Sequence, residues 1–316
     1  MFAKNIASLG FDDVLQAHRR IKNHIVKTPI LSSDKINKIL NAEIFFKMEN
    51  HQLTHSFKAR GAFNAILQYQ NTHGNMPQKI VVQSSGNHAH AVAYIAKNFG
   101  IELLVYMASN VSSYKIDKVK SLEAEVIICQ ERVKANKLAE EKQEEGYFFI
   151  HPSNNNDVIL GQATCAVEIF EELDNLSAIF IPCGGGGLVA GCYLAQQGMS
   201  PSTKIYACEP KAANDASISV KQNKIFSFQK SPLTIADGAR TLSISKRCFE
   251  YLKKIAGIIE IEENRIKFWR DELEQELNQP IEATAALSIA GVEIFLQNNK
   301  KEQQKKYCTI VTGGNL

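Results

Sequence analysis

The hydrophobic positions of this chain fall into short runs, separated by longer stretches in which apolar residues recur every three or four positions. The runs Glu43–Met48, Lys79–Val82, Glu102–Tyr106, Val126–Cys129, Ala178–Cys183, Lys204–Cys208 and Tyr307–Thr312 are rich in β-branched and aromatic residues and predict strands. Helical patterns lie between most of them, among them 87–98, 133–145 and 188–197. Near-continuous apolar strands alternating with helices predict an α/β fold, with mostly parallel twisted sheets covered by helices on both faces.

No repeat of 20–50 residues is visible, and no Pro/Gly/Ser linker divides the chain. A second lobe must therefore be inserted in the first. Residues 79–146 read as a self-contained small lobe, and residues 1–78 and 147–316 as one discontinuous large lobe. Open α/β sheets bind ligands in a crevice, so the cleft between the lobes is the expected site.

Composition narrows the function classes. Of the 316 residues 45% are hydrophobic and 22% charged, ordinary values that disfavour disordered, collagen-like and disulfide-scaffold proteins. Net charge is +3 with both signs interspersed, so the basic footprint of a nucleic-acid binder is missing. The seven cysteines are scattered with no Cys-x-x-Cys pair, which predicts small buried hydrophobes in a reducing compartment. There is no signal-like N-terminal segment and no run of ~18 apolar residues. No membrane partner and a cytoplasmic location are expected.

Four segments carry chemistry. Ser56-Phe57-Lys58-Ala59-Arg60-Gly61-Ala62 opens a helix after the polar stretch 51–55. On its own that is a capped helix start with an exposed lysine, but a lysine desolvated in a cleft attacks aldehydes as a neutral amine. Gly184-Gly185-Gly186-Gly187 stands between a strand and a helix. Four glycines let backbone N–H groups approach a phosphate that the helix N-terminus also favours, and a tight turn alone does not justify their entropy. The run has neither the Walker Lys-Ser/Thr nor the dinucleotide glycine spacing, so nucleoside triphosphate and NAD readings weaken. Ser84-Ser85-Gly86-Asn87-His88-Ala89-His90 starts another helix after a strand, with donors suited to a carboxylate and a phenolic oxygen. His88 alone reads as a packing or capping residue, and His90 as structural. Thr312-Gly313-Gly314-Asn315 follows the last strand, where a hydroxyl meets a ring nitrogen without forcing a proton onto it, as a carboxylate would.

In this order and spacing, these pieces resemble the fold-type II pyridoxal-phosphate enzymes, specifically the serine/threonine dehydratases and serine racemases. The likeness runs from about Thr28 to Asn315, and Thr234-Ile235-Ala236-Asp237-Gly238 adds a fifth match. The resemblance implies that Lys58 carries pyridoxal 5'-phosphate as a Schiff base and that Phe57 packs on its ring. It also implies that Asn87 bonds the ring hydroxyl, Gly184, Gly185, Gly186 and Gly187 hold the phosphate, and Thr312 faces the pyridine nitrogen. Ser84, Ser85, Asn87 and His88 would surround the substrate carboxylate. A divalent cation such as Mg²⁺ would sit on Glu209, Asp215 and the carbonyl of Ala213, although spacing alone equally fits two solvated carboxylates. A homodimer is implied as well. Ser153 stands where many relatives have Tyr or Asn near the cofactor, Glu123 where glycine is usual, and the helix at Ser112-Ser113-Tyr114 begins unusually.

The implied reaction is elimination of the β-hydroxyl from an L-amino acid, threonine or serine, to a 2-oxo acid and ammonia. The alternatives are serine racemase, for which Ser85 would serve the face opposite Lys58, and 3-hydroxyaspartate dehydratase. Cysteine-synthase-type replacement is disfavoured by the dehydratase-like segments at 55–58 and 234–238. A non-catalytic cofactor-binding protein would need a broken lysine or glycine motif, and both are intact.

Overall fold

The computed structural model describes residues 9–109 and 111–315. The chain runs α1 (Phe11–Ile21), β1 (Ile30–Ser32), α2 (Asp34–Leu40), β2 (Glu43–Met48), α3 (Lys58–His73), β3 (Lys79–Gln83), α4 (Asn87–Phe99) and β4 (Glu102–Ala108). It continues α5 (Ser113–Lys120), β5 (Glu125–Cys129), α6 (Arg132–Glu144), β6 (Phe148–Phe149), α7 (Asn156–Glu172), β7 (Ala178–Pro182), α8 (Gly187–Met199), β8 (Lys204–Pro210) and α9 (Asp215–Gln222). The remainder is α10 (Lys246–Leu252), β9 (Gly257–Ile261), α11 (Glu263–Leu277), α12 (Ala283–Asn298) and β10 (Lys306–Val311).

Two sheets result. The larger has the order β1-β2-β10-β7-β8-β9, all parallel except the β1–β2 pair. The smaller, β5-β4-β3-β6, is entirely parallel. The α/β class and the mostly parallel sheets are as the periodicity predicts. The smaller sheet draws its strands from residues 79–149, so β6 lies beyond the segment 79–146.

Strand alternation explains how helices cover both faces. In the smaller sheet Ile80, Val82, Leu103 and Val105 join the core beneath α3 and α4, while Val81, Leu104 and Tyr106 face Ala135 and Ala139 of α6. In the larger sheet Ile179 and Ile181 pack toward α7 and α8, and Ala178 and Phe180 toward α12. All seven cysteines are buried and free, which fits their reading as small hydrophobes. Glu123, in the position of a usual glycine, has φ 66°, a left-handed backbone that glycine enters without the Cβ penalty. No helix among the described residues is long and apolar enough to cross a membrane.

Candidate active site

Lys58 opens α3 directly after an unusual loop. Two 3-10 turns, Glu49–His51 and Leu53–His55, lead into it, and Thr54 and His55 adopt φ of 60° and 54°. Left-handed non-glycine residues persist only where their surroundings impose them. Here the far end of the chain does so. Asn315 Nδ2 donates to the carbonyls of Thr54 at 2.9 Å and His55 at 3.3 Å, and the Gly314 N–H donates to that of His55 at 3.1 Å. The Phe57 N–H donates to the Thr312 carbonyl at 3.2 Å. The Lys58 amine lies 4.7 Å from the centre of the Phe57 ring. Burial pushes it down to about 8, against the pull of Glu282, and the charge of Arg132 lowers it further. An amine so placed is neutral often enough near pH 7–8 to act as a nucleophile or base.

Gly184–Gly187 join β7 to α8. Gly186 has φ 86°, and a Cβ added at Gly185 would stand 2.3 Å from Ser153 Oγ. Neither position tolerates a side chain, so backbone alone walls the cradle at the start of a 13-residue helix. The Ser153 and Ser245 hydroxyls meet beside it at 2.5 Å. This arrangement fits the phosphate of the expected cofactor: glycine backbone with no side chain in the way, a helix N-terminus and two hydroxyls, and Cys248, which Gly186 approaches, lies within electrostatic reach of Lys58.

In the 84–88 segment, Ser84 Oγ accepts from the Gly86 N–H at 3.3 Å, and Ser85 Oγ from the Ala108 N–H at 3.2 Å. Each serine therefore keeps its own O–H to donate. His88 is buried and bonded through Nε2 to the Ile150 carbonyl at 2.8 Å. Burial, reinforced by the charge of Lys58, pushes it down to about 3, so the ring is neutral. Ser85, Asn87, Lys115, Lys118 and Asn315 line one small cavity.

Reading the motifs alone missed Glu282. This buried residue sits just before α12, accepting from Asn87 Nδ2 at 2.8 Å and from Thr312 Oγ1 at 3.2 Å. Burial pushes its carboxyl up to about 7. The only signal was an acidic residue opening an otherwise apolar helix. Arg132 and His151 were also missed. Both lie within electrostatic reach of Lys58, and His151 is held neutral at about 4, chiefly by burial. Three contacts run from α5 and α6 to residues distant in sequence: Lys115 to Asp237, Lys118 Nζ to Asn315 Oδ1 at 2.7 Å, and Arg132 Nη1 to the Arg240 carbonyl at 2.8 Å.

Glu209 ends β8, Ala213 closes the 3-10 turn Lys211–Ala213, and Asp215 begins α9. All three are buried. The Glu209 carboxyl accepts from the backbone N–H of Ser217 at 2.7 Å and of Ala216 at 3.2 Å. Asp215 Oδ1 accepts from Thr241 Oγ1 at 3.2 Å, and its Oδ2 has no partner. Burial pushes Glu209 up to about 8 and Asp215 up to about 7. Among the described residues no group of three or more His, Cys, Asp or Glu side chains is placed to hold a metal ion. The pair is thus buried, which rules out the reading as two solvated carboxylates.

The family profile described as "pyridoxal-phosphate dependent enzyme" matches residues 21–313. The L-threo-3-hydroxyaspartate ammonia-lyase of Saccharomyces cerevisiae is 34% identical, over 97% of this chain and 93% of that protein. A serine racemase of Schizosaccharomyces pombe is 35% identical, over 99% of this chain and 96% of that protein. The crystal structure of the T.th. threonine deaminase superposes with a TM-score of 0.89 at 33% identity, covering 98% of this chain and 99% of that one. With the lysine, the glycine cradle and the two mostly parallel sheets, these likenesses establish that the chain belongs to the fold-type II pyridoxal-phosphate dependent enzymes.

Proposed function

We propose that this enzyme is an ammonia-lyase that removes the β-hydroxyl of an L-amino acid such as threonine or serine, giving a 2-oxo acid and ammonia. The observation that carries the reading is the Lys58 amine, brought to about 8 by burial within electrostatic reach of Cys248, against which Gly186 of the glycine cradle packs. In this reading Lys58 holds the cofactor, Gly184–Gly187 its phosphate, Asn87 its ring oxygen, and Thr312 faces its ring nitrogen. The cofactor, when bound, supplies an electron sink for the Cα carbanion.

The chain's own residues do the rest. Donors at Ser84, Ser85 and Asn87 anchor the substrate carboxylate and so fix the direction of the Cα–H bond, a matter of orientation that carries much of the rate. With the cofactor bound, Lys58 as a neutral amine would take the Cα proton and give a proton to the departing hydroxyl. Neutral His88 and His151 place no further positive charge beside it.

A second reading, 3-hydroxyaspartate as substrate, is favoured by Arg132. Its only side-chain hydrogen bond among the described residues goes to the Arg240 carbonyl, which leaves a guanidinium near Lys58 to receive a second carboxylate. A Mg²⁺ ion on Glu209, Asp215 and the Ala213 carbonyl belongs to the same proposal, as does the homodimer. The test is release of 2-oxo acid from L-threonine, L-serine and L-threo-3-hydroxyaspartate. Turnover of the first two supports the first reading. Turnover of the third alone, with KM raised by Arg132→Ala, establishes the second, and no release from any of them overturns both.

A further inference from the structure

The segment 150–154 is tied on one side to the start of α4 and on the other to the glycine cradle. The Ile150 N–H donates to the Val81 carbonyl at 3.1 Å, and the Ile150 carbonyl accepts from His88 Nε2 at 2.8 Å. Ser153 stands against the cradle, its Oγ 2.3 Å from a Cβ added at Gly185 and its Cβ 3.3 Å from one added at Gly187. Its carbonyl accepts from Cys248 Sγ at 3.4 Å. His151 therefore lies one residue from a contact with the segment proposed to bind the substrate carboxylate, and two from the loop proposed to bind the cofactor phosphate.

The His151 ring is fixed both in orientation and in tautomer. Its Nδ1 accepts from the backbone N–H of Asn154 at 2.7 Å and of Ser153 at 3.2 Å. A backbone N–H can only donate, so Nδ1 is bare and the neutral ring carries its proton on Nε2. Phe149 packs edge-to-face against the ring, with centroids 5.8 Å apart. Because Nδ1 faces the ring's own loop, the edge that bears Nε2–H is turned away from it. That N–H has no acceptor among the described residues and, unlike Nδ1 of His88, it is not sealed from solvent. The charges acting on the ring are those of Arg132 and Lys58. Burial and these two cations keep the ring neutral, which makes Nε2–H a standing donor rather than an acid.

We propose that His151 Nε2–H hydrogen-bonds the β-oxygen of the substrate and stabilises the negative charge that gathers there as the Cβ–O bond breaks. The proposal rests on the elimination reading, and it holds for threonine, serine and 3-hydroxyaspartate alike, since all three present that oxygen. Lys58 must reach both the Cα proton and the departing oxygen, so the β-oxygen lies beside the Lys58 amine. Among the donors near that amine, Ser84, Ser85 and Asn87 are assigned to the carboxylate, and the His88 Nε2–H is committed to Ile150. Arg132 carries a full charge, suited to a second carboxylate. His151 has an N–H, no acceptor, and Lys58 within electrostatic reach. In the step, the bonding pair of Cβ–O passes to the oxygen, the proton that completes water comes from Lys58, and His151 keeps its own. A leaving group that departs as a stable anion needs no such donor. His151 is thereby a catalytic residue that fits the enzyme to a hydroxyl as the group expelled.

The experiment sets the best of L-serine, L-threonine and L-threo-3-hydroxyaspartate against β-chloro-L-alanine, which expels chloride and also yields a 2-oxo acid. In the His151→Phe holoenzyme, kcat on the hydroxy substrate is expected to fall ~10²-fold, the usual cost of removing one donor from a site of developing negative charge. On the chloro substrate it should fall far less, with the visible imine band retained. His151→Gln keeps an N–H and should recover part of the loss. Equal losses on the two substrates, or an undiminished kcat on the hydroxy one, overturn the proposal. A wild-type measurement decides it even if the variants fail to fold: ¹⁵N NMR of histidine-labelled holoenzyme, following the Nε2 signal of the histidine that contacts Phe149. α-Methyl-L-serine has the hydroxyl but no Cα proton to lose, and it should shift that signal, whereas α-aminoisobutyrate, without the hydroxyl, should not. A signal that responds to neither, or to both equally, overturns the proposal. Wild type inactive on all three hydroxy substrates takes down the elimination reading and this proposal with it, while activity with equal losses takes down this proposal alone.

Discussion

The Arg60 guanidinium grips the Glu49 carboxylate in two parallel bonds, Nε to Oε2 at 2.7 Å and Nη2 to Oε1 at 2.8 Å, with both residues fully buried. Its remaining edge does the same for Glu168, at 2.7 and 2.8 Å, and Lys47 completes the set with 2.6 Å to Glu168. Two cations and two anions thus cancel out of solvent, two residues along α3 from Lys58. Only a planar fork can serve two carboxylates at once. Removing one partner of such a group leaves an uncompensated buried charge, at a cost of roughly 3–5 kcal/mol. Arg60→Met should therefore lower the free energy of unfolding in urea by that amount, and Arg60→Lys should recover only part of it. An Arg60→Met protein within about 1 kcal/mol of wild type contradicts this picture of the network.

Lys58 is expected to be the attachment point of the cofactor. Borohydride treatment of the holoenzyme should fix pyridoxal phosphate on the peptide that contains residue 58, and Lys58→Ala should abolish both the fixation and 2-oxo acid release. Label recovered on another lysine of the Lys58→Ala protein would move the assignment elsewhere.

Ser85 distinguishes elimination from racemisation, because its hydroxyl accepts from the Ala108 N–H and retains a proton to deliver. Lys58 serves one face of Cα, and reversal of configuration needs a donor on the other. General acid–base assistance is worth ~10²–10⁴-fold. Ser85→Ala should cut D-serine formation from L-serine by about that factor and lower elimination far less, by the loss of one of several carboxylate donors, as chiral chromatography and 2-oxo acid release will show. Equal loss of both reactions identifies Ser85 as a carboxylate anchor only.

Glu209 and Asp215 make stability depend on pH in a direction that a cation reverses. Burial raises their folded values to about 8 and about 7, above those of the unfolded chain. A carboxyl raised in this way contributes its full stability below its unfolded value and loses it as pH rises toward the folded one. In chelator, Tm should therefore fall between pH 5 and pH 8. Mg²⁺ binds the ionised pair, so it should raise Tm more at pH 8 than at pH 5. An Mg²⁺ effect that is absent, or equal at both values, speaks against a cation on these residues.

Much of this architecture was legible because it follows from local pattern. The seven strands expected from apolar runs all form, with ends shifted by a residue or two, since a run of Val, Ile and Phe has few other places to go. β1, β6 and β9 were not anticipated. β1 and β6 have only three and two residues, and β9 is a five-residue edge strand whose side chains are mostly half-buried. The lysine and glycine motifs were visible because each needs neighbouring residues of fixed type. Glu282 was not, because it meets Asn87 and Thr312 across 195 and 30 residues of sequence, and no local pattern encodes that meeting. Arg132 was hidden for the same reason, within a helix start that otherwise reads as solvated.

The position of β10 has a bearing on how the protein is made. This strand pairs with β2 on one side and β7 on the other, so the middle of the larger sheet is filled by residues 306–311. Until the ribosome has released them, β2 and β7 present facing edges with nothing between, and the loop before Lys58 lacks the asparagine that pins it. The smaller sheet has all its strands by residue 149 and can consolidate during synthesis. The larger one closes last, over a sequence separation above 250 residues at β2, the kind of non-local pairing that folds slowly and exposes strand edges to aggregation while it waits. Nascent chains arrested just short of residue 306 are therefore the species most in need of a chaperone.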